Sequence, residues 1–135
     1  MAVRIVTDST SDIPLPIAQE LNITVIPLFV HFGTEVFRDS VDLSPDEFYR
    51  RLKRGGVLPK TSVPPVGAFT ETYSKLAGET DAILSIHISA KLSGTYDAAV
   101  LGKKSVEGKC RIEVIDSWNT SMALGLLAIL AARAA

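Results

Sequence analysis

Short apolar runs and more polar stretches alternate along most of the 135-residue chain. The runs are rich in Val, Ile and Phe, and they predict strands over residues 3–7, 23–27, 28–32, 35–38, 82–88 and 111–115. Between them, prolines, capping residues and glycine stops predict helices over residues 14–21, 44–54, 65–77, 93–106 and 122–135. This alternation predicts an α/β domain with an open, mostly parallel sheet and helices on both of its faces.

Two stretches carry the clearest local signals. Ser44 precedes Pro45 and has Glu47 three residues later, which is the pattern of a capping box at a helix start. The nearly continuous apolar run at residues 82–86 is typical of a central strand that helices cover on both sides. Both signals agree with the α/β interpretation.

Composition limits the class of protein. Hydrophobic residues make up 47% and charged residues 21% of the chain, which excludes a disordered or fibrous protein. The net charge is −1 and the Lys and Arg residues are scattered, so no general affinity for nucleic acid is expected. A length of 135 residues suits one domain.

The two ends of the chain bear on its location and completeness. The first residues pass directly into a predicted strand and leave no room for a signal peptide, so a cytoplasmic protein is expected. The apolar stretch at residues 122–135 is too short to span a bilayer, and no stable membrane insertion is expected. This stretch predicts a buried helix without a stop signal, and the chain is therefore expected to be a fragment.

Hydroxyl-bearing residues cluster where the predicted strands end. They occur directly after strands in residues 8–12, 89–95 and 116–117, and before a helix in residues 60–62. Loops that follow parallel strands share one edge of a sheet, where ligands of open α/β sheets bind. Ser93, Gly94 and Thr95 also stand at a predicted helix start, where free N–H groups and the helix dipole favour an anion. The sequence therefore predicts a site for the anionic head of a small ligand.

The sequence supports a metal or cofactor site less well than it supports an anion site. Asp8, Asp12 and Asp116 suggest a metal site, but the sequence lacks the glycine-rich phosphate loops that usually accompany Mg²⁺. No metal and no cofactor are therefore expected. His31 and His87 lie within apolar strands and are interpreted as structural residues.

An enzyme is the alternative that the residues alone leave open. Asp8, Ser93 and Asp116 could support phosphoryl or acyl transfer on a small substrate, although Ser93 lacks the G-x-S-x-G surroundings of a hydrolase nucleophile. A ligand-sensing regulatory domain is the third interpretation.

Four motifs follow one another along nearly the whole chain. They read VTDSTSDIP at residues 6–14, PKTSVPP at 59–65, ISAKLSGTY at 88–96 and VIDS at 114–117, with Ser121 and Gly125 downstream. In order and spacing, these motifs resemble the DegV family of fatty-acid-binding proteins. Two departures are Val63, where the family often has Gln, and Ala123, where it often has Gly.

The resemblance implies a three-layer, Rossmann-like domain. Family members have two domains and about twice this length, so residues 1–135 would be the N-terminal domain and the C-terminal domain would be absent from this chain. The family binds a long-chain fatty acid between its domains and, in many bacteria, presents it to a fatty acid kinase that forms the acyl phosphate. The binding protein itself has no known catalytic centre, so the resemblance implies no catalytic residue.

The resemblance also assigns residues to the site. Matched by motif, the hydroxyls of Thr61 and Ser62, together with Ser93 and the backbone N–H of Gly94, would hydrogen-bond the carboxylate. The wider set of ligand-binding residues adds Thr95, Asp8, Ser9, Thr10 and Ser117. Candidates for an apolar slot that holds the acyl tail are Ile26, Leu28, Val30, Phe32 and residues 122–130.

Overall fold

The computed structural model describes residues 2–135 and contains two sheets and five α-helices there. The elements in chain order are β1 (Arg4–Asp8), α1 (Leu15–Glu20), β2 (Thr24–Ile26), β3 (Phe29–Phe32), β4 (Glu35–Arg38), α2 (Pro45–Arg54), β5 (Lys60–Ser62), α3 (Val66–Ala77), β6 (Ala82–His87), α4 (Thr95–Lys104), β7 (Arg111–Asp116) and α5 (Ser121–Ala134). A short 3₁₀ turn, Ser9–Ser11, follows β1. The predicted elements are confirmed to within a few residues, and β5 is a strand that the sequence did not predict.

The main sheet has four parallel strands in the order β2-β1-β6-β7. Side chains of a strand alternate between its two faces, and both faces of this sheet are covered. On one face, Val6 and Ile83 pack with Phe69 and Tyr73 of α3. The opposite face packs against α1 and α5. The predicted α/β architecture, with helices on both faces of a parallel sheet, is confirmed.

A second, smaller sheet stands apart from the main one. Its strands are antiparallel in the order β4-β3-β5, and Gly33 at φ +61° makes the turn between β3 and β4. Pro27 lies between β2 and β3 and has no N–H to donate to a strand ladder, so pairing changes from one sheet to the other at this point. Leu28 then donates its N–H to Ser9 Oγ (3.0 Å), which ties the junction back to the main sheet.

Helix α2 begins at the predicted cap and covers the small sheet. The N–H of Glu47 donates to Ser44 Oγ at 3.2 Å, but the Glu47 carboxylate pairs with Arg50 and Arg51, so only half of the expected capping box forms. The Arg51 guanidinium lies 4.8 Å from the Phe37 ring centre and pairs with Glu35 at 2.8 Å. These contacts hold α2 on the small sheet.

Helix α5 is buried along one side only. Leu124, Ala128 and Ile129 pack against the main sheet, whereas Leu126 and Leu130 are exposed. The prediction that residues 122–135 form a buried helix is therefore wrong for the outer side of α5. No helix within residues 2–135 combines the length and apolar character needed to cross a membrane.

Helices α3 and α4 cross closely at Gly102. A Cβ added there would lie 2.5 Å from Phe69 Cβ, which is closer than non-bonded carbon atoms approach each other. We expect Gly102→Ala to push the helices apart and lower the free energy of unfolding by about 1–3 kcal/mol, measured by urea denaturation.

Gly67→Ala is the matched control for this prediction. Gly67 also lies in a helix, but beyond its chain neighbours and the backbone of its own helix no atom lies within 4 Å of a Cβ added there. Its free energy of unfolding should stay level or rise slightly, because Ala is the better helix former. Equal stability of the Gly102→Ala and Gly67→Ala variants would contradict the close crossing.

Candidate functional site

The loops after β1, β6 and β7 meet at the carboxyl edge of the main sheet, as the hydroxyl pattern predicts. Ser117 donates its N–H to the carbonyl of His87 at 3.1 Å, and Ser89 donates its N–H to the carbonyl of Asn119 at 2.9 Å. Ser121 at the start of α5 donates its hydroxyl to Asp12 Oδ2 at 2.7 Å. These bonds join the three loops into one surface.

The fourth hydroxyl cluster also reaches this surface, beside the start of α4. A Cβ added at Gly94 would lie 3.8 Å from Val63 Cγ1, so the residues after β5 adjoin the residues that begin α4. Ser93 Oγ accepts the N–H of Thr95 at 3.2 Å and lies 2.9 Å from Thr95 Oγ1. The first turn of a helix leaves further N–H groups without intrahelical acceptors. Gly94 itself is exposed, so the structure leaves its backbone accessible.

Thr61 and Ser62 point to opposite sides of β5, because consecutive residues of a strand do so. Thr61 lies directly opposite Val30 in the small sheet and shares its face. Ser62 shares the face of His31, whose Nε2 lies 2.9 Å from Ser62 Oγ. Both hydroxyls are exposed, but strand geometry turns them toward different surroundings.

A buried carboxylate lies beneath the surface. Asp8 is fully buried, and its Oδ1 accepts the N–H and the hydroxyl of Thr10. Its Oδ2 lies 2.9 Å from His87 Nδ1 and accepts the N–H of Ile88 at 3.1 Å. Burial alone would raise the pKa of Asp8, but the hydrogen bonds from His87, Thr10 and Ile88 hold that pKa below its usual range.

The chain of buried polar groups continues through His87. Its Nε2 lies 2.7 Å from Ser85 Oγ, which accepts the Tyr73 hydroxyl at 2.7 Å. One arrangement of protons satisfies every member: Tyr73 donates to Ser85, Ser85 donates to Nε2, and Nδ1 donates to Asp8. Burial raises the pKa of Tyr73 to about 12, so its hydroxyl keeps the proton that it donates. His87 is fully buried, and both of its ring nitrogens have hydrogen-bond partners.

Some of the remaining predicted site residues are buried or already use their hydroxyls within the protein, and the others are accessible. Ser9 and Ser117 are buried and use their hydroxyls on Leu28 and on Asn119, respectively, and Thr95 is buried. Thr10 is half-buried and donates its hydroxyl to Asp8. The predicted residues that stay accessible are Thr61, Ser62 and Gly94, with Ser93 half-buried.

The geometry offers little to the enzyme alternative. Asp8 is fully buried, and Asp116 Oδ1 accepts the N–H groups of Ala90 and Trp118. Within residues 2–135, Ser93 Oγ has Thr95 as its hydrogen-bond partner, with no base beside it. No cluster of three or more His, Cys, Asp or Glu residues that could hold a metal ion occurs in the same range.

The predicted slot for an acyl tail is mostly filled by the protein itself. Ile26, Leu28, Val30 and Phe32 are buried, and Val30 and Phe32 pack with Leu43 in the core of the small sheet. Of the candidates, only the outer side of α5 exposes apolar side chains, at Met122, Leu126, Leu127 and Leu130.

The sequence reasoning missed Tyr73 and Ser85. A signal for them was present in β6, where Ser85 and His87 are two residues apart in an otherwise apolar run and so face the same side. Polar groups at buried strand positions require hydrogen-bond partners, which points to a buried network.

Comparisons with known proteins agree with this fold and these motifs. The family model described as "Uncharacterised protein, DegV family" matches residues 2–135. The chain belongs to the DegV family. A DegV domain-containing protein of Halalkalibacterium halodurans is 46% identical over 114 residues, which are 84% of this chain and 39% of the relative.

Solved structures of DegV proteins share the architecture. The crystal structure of DegV, a fatty acid binding protein from Bacillus subtilis, superposes with a TM-score of 0.93 at 35% identity, covering 98% of this chain and 47% of that one. A stearic acid-binding protein from Eubacterium ventriosum gives a TM-score of 0.91 at 29% identity, covering 97% and 46%. The chain thus spans less than half the length of these relatives.

The buried network leads to a prediction about pH. The lowered pKa of Asp8 means that the folded state favours the ionised carboxylate. This stabilisation is present above the ordinary value of 3.8 and is lost as the pH falls through the folded-state pKa. We expect Asp8→Asn to lower the free energy of unfolding by about 3 kcal/mol at neutral pH and by less in acid.

Asp12→Asn is the control, since it removes an exposed carboxylate next to the same turn. Urea denaturation of wild type, Asp8→Asn and Asp12→Asn at a series of pH values measures the three profiles. A cost of Asp8→Asn that does not shrink on acidification would show that Asp8 does not act through its charge.

Proposed function

We propose that this chain binds the carboxylate of a long-chain fatty acid between Gly94 at the start of α4 and Thr61 of β5. The proposal rests most directly on the close approach of Val63 to Gly94. This approach brings β5, which carries hydroxyls, beside the accessible start of α4. Membership of the DegV family and the fatty acid ligands of its solved members support the same ligand.

The electrostatics of the helix start suit a carboxylate. Backbone N–H groups in the first turn of α4 carry a partial positive charge, which attracts an anion without a cationic side chain. The nearby carboxylate of Asp8 is buried and already accepts hydrogen bonds from His87, Thr10 and Ile88. Its charge is thus compensated locally, which limits its repulsion of a bound acid.

Of the two β5 hydroxyls, Thr61 is the one that we assign to the carboxylate. Val63 precedes a proline, and a residue in that position favours extended backbone. If the extended conformation continues through Val63, the side chains of Thr61 and Val63 share one side, which is the side that faces Gly94. Ser62 then faces away and pairs with His31 instead.

For the acyl tail we propose the exposed apolar surface at the ends of β6 and β7. Leu92 and Trp118 are 65% and 73% exposed, and the loops that carry them are joined by the bond from Ser89 to Asn119. Lys91 Nζ lies 5.2 Å from the centre of the Trp118 ring. The exposed residues of α5 extend this surface, and in a protein of the relatives' length we propose that a second domain covers it.

The partner and the location follow from the family resemblance. We propose that the full protein presents the bound acid to a fatty acid kinase, which phosphorylates the carboxylate, and that it does so in the cytoplasm. In this scheme the chain itself supplies binding residues and no catalytic group.

The assignment of Thr61 predicts a difference between two neighbouring hydroxyls. Thr61→Val keeps the shape of the side chain and removes its hydroxyl, so we expect it to weaken binding of cis-parinaric acid about tenfold, measured by fluorescence titration. Ser62→Ala is the matched control and should change the affinity by less than about twofold.

Two further results bear on the head-group position. Ser93→Ala combined with Thr61→Val should abolish binding while the far-UV circular dichroism stays unchanged. Retained affinity in that double variant, or a larger loss from Ser62→Ala than from Thr61→Val, would contradict the proposed geometry.

A further inference from the structure

A groove of about 760 Å³ lies between α1 and the segment that joins β4 to α2. Its volume is in the range of cavities that hold small molecules. Thr61, Ser62, Ser93 and Gly94 do not line it, so it is distinct from the proposed carboxylate position.

The polar part of the groove is acidic. Asp12 and Asp39 both line it, and no Lys, Arg or His is among the described residues that do. Burial raises the pKa of Asp39, and the charge of Asp12 raises it further, while hydrogen bonds from Ser9 and Ser40 offset part of the rise. Because both carboxylates line one groove, a cation bound between them would relieve their repulsion.

A buried hydroxyl gives a second, independent observation. Ser11 lines the same groove, is 1% exposed, and its Oγ has no hydrogen-bond partner within residues 2–135. A buried hydroxyl without a partner costs free energy, which a ligand with hydrogen-bond donors would recover.

The walls of the groove are apolar and partly exposed. Leu15 of α1 is 66% exposed, Val41 is 58% exposed, and Tyr49 of α2 is 58% exposed. Ile13, Ala18, Ile23 and Val25 are further apolar residues of the lining. Burying these side chains under an apolar group would be favourable in proportion to the area covered, and the Tyr49 ring offers a face to a cation.

We propose that this groove binds a small amphiphilic cation, with a primary ammonium group against Asp12 and Asp39 and a short apolar body on Leu15 and Val41. The complementarity of charge excludes a fatty acid here, since its carboxylate would add a third negative charge beside two existing ones. The groove and the carboxylate position at α4 would then select ligands of opposite charge.

The test compares three probes of equal length and different charge. Hexylamine, hexanol and hexanoate are titrated separately into ¹⁵N-labelled protein at neutral pH, and the amide shifts are followed by NMR. We expect hexylamine to shift the amides of Leu15, Ser40 and Val41 and to bind at least tenfold more tightly than hexanol. Hexanoate should leave these amides in place.

Variants test the roles of the two carboxylates. Asp39→Asn and Asp12→Asn should each weaken hexylamine binding about tenfold, whereas Asp46→Asn, an exposed carboxylate outside the groove, should change it by less than twofold. Leu15→Lys provides an independent test in case Asp39→Asn does not fold. Leu15 is exposed, so the fold should tolerate its replacement, and the lysine would supply a competing ammonium group. It should abolish hexylamine binding without changing the spectrum elsewhere.

Several outcomes would overturn the proposal. They are equal binding of hexanol and hexylamine, stronger binding of hexanoate at the same amides, an equal effect of Asp46→Asn and Asp39→Asn, or no shift at the groove at 20-fold molar excess and above. Because the probes and amides differ from those of the fatty acid test, failure here leaves the carboxylate position at α4 unaffected.

Discussion

The carboxylate of Asp8 is the constraint on which the functional edge of this domain depends. It lies at the end of β1, fully buried, and accepts hydrogen bonds from the turn that follows β1 and from the end of β6. A buried carboxylate is tolerated only where such donors compensate its charge. The turn after β1 and the loop after β6 are therefore fixed relative to each other by the requirement to satisfy one anion.

This constraint separates the residues that build the site from those that can contact a ligand. Asp8, Ser9 and Ser117 belong to the motifs that identify the family, yet all three are buried and bonded to the protein itself. Thr61 and Gly94 are accessible and have their side chain or backbone turned outward. Motif membership alone does not distinguish the two groups, because both contribute to the same local geometry. Their burial does distinguish them.

The sequence predicts the features that depend on neighbouring residues better than those that depend on contacts between distant parts of the chain. The Ser44 cap and the buried run of β6 are local patterns, and both are found where the sequence places them. Strand β5 is too short and too polar to carry such a pattern, and it exists because Thr61 pairs with Val30 from a distant part of the chain. The groove between α1 and the β4–α2 segment has the same origin, since it joins Asp12, which follows β1, to Asp39, which follows β4.

The two proposed sites differ in the charge of the groups that surround them. At α4, the backbone N–H groups of the first turn favour an anion, and the charge of the buried Asp8 carboxylate is compensated by its own donors. At α1, two carboxylates share a groove without a cation among the described lining residues, and Asp39 is less acidic than usual as a result of its burial and of Asp12. Ser9 lies at the edge of this groove, and its hydroxyl accepts the N–H of Leu28 and also interacts with Asp39. The 3₁₀ turn Ser9–Ser11 therefore borders the groove through Ser9 and Ser11, while its central residue, Thr10, donates to the buried Asp8 carboxylate.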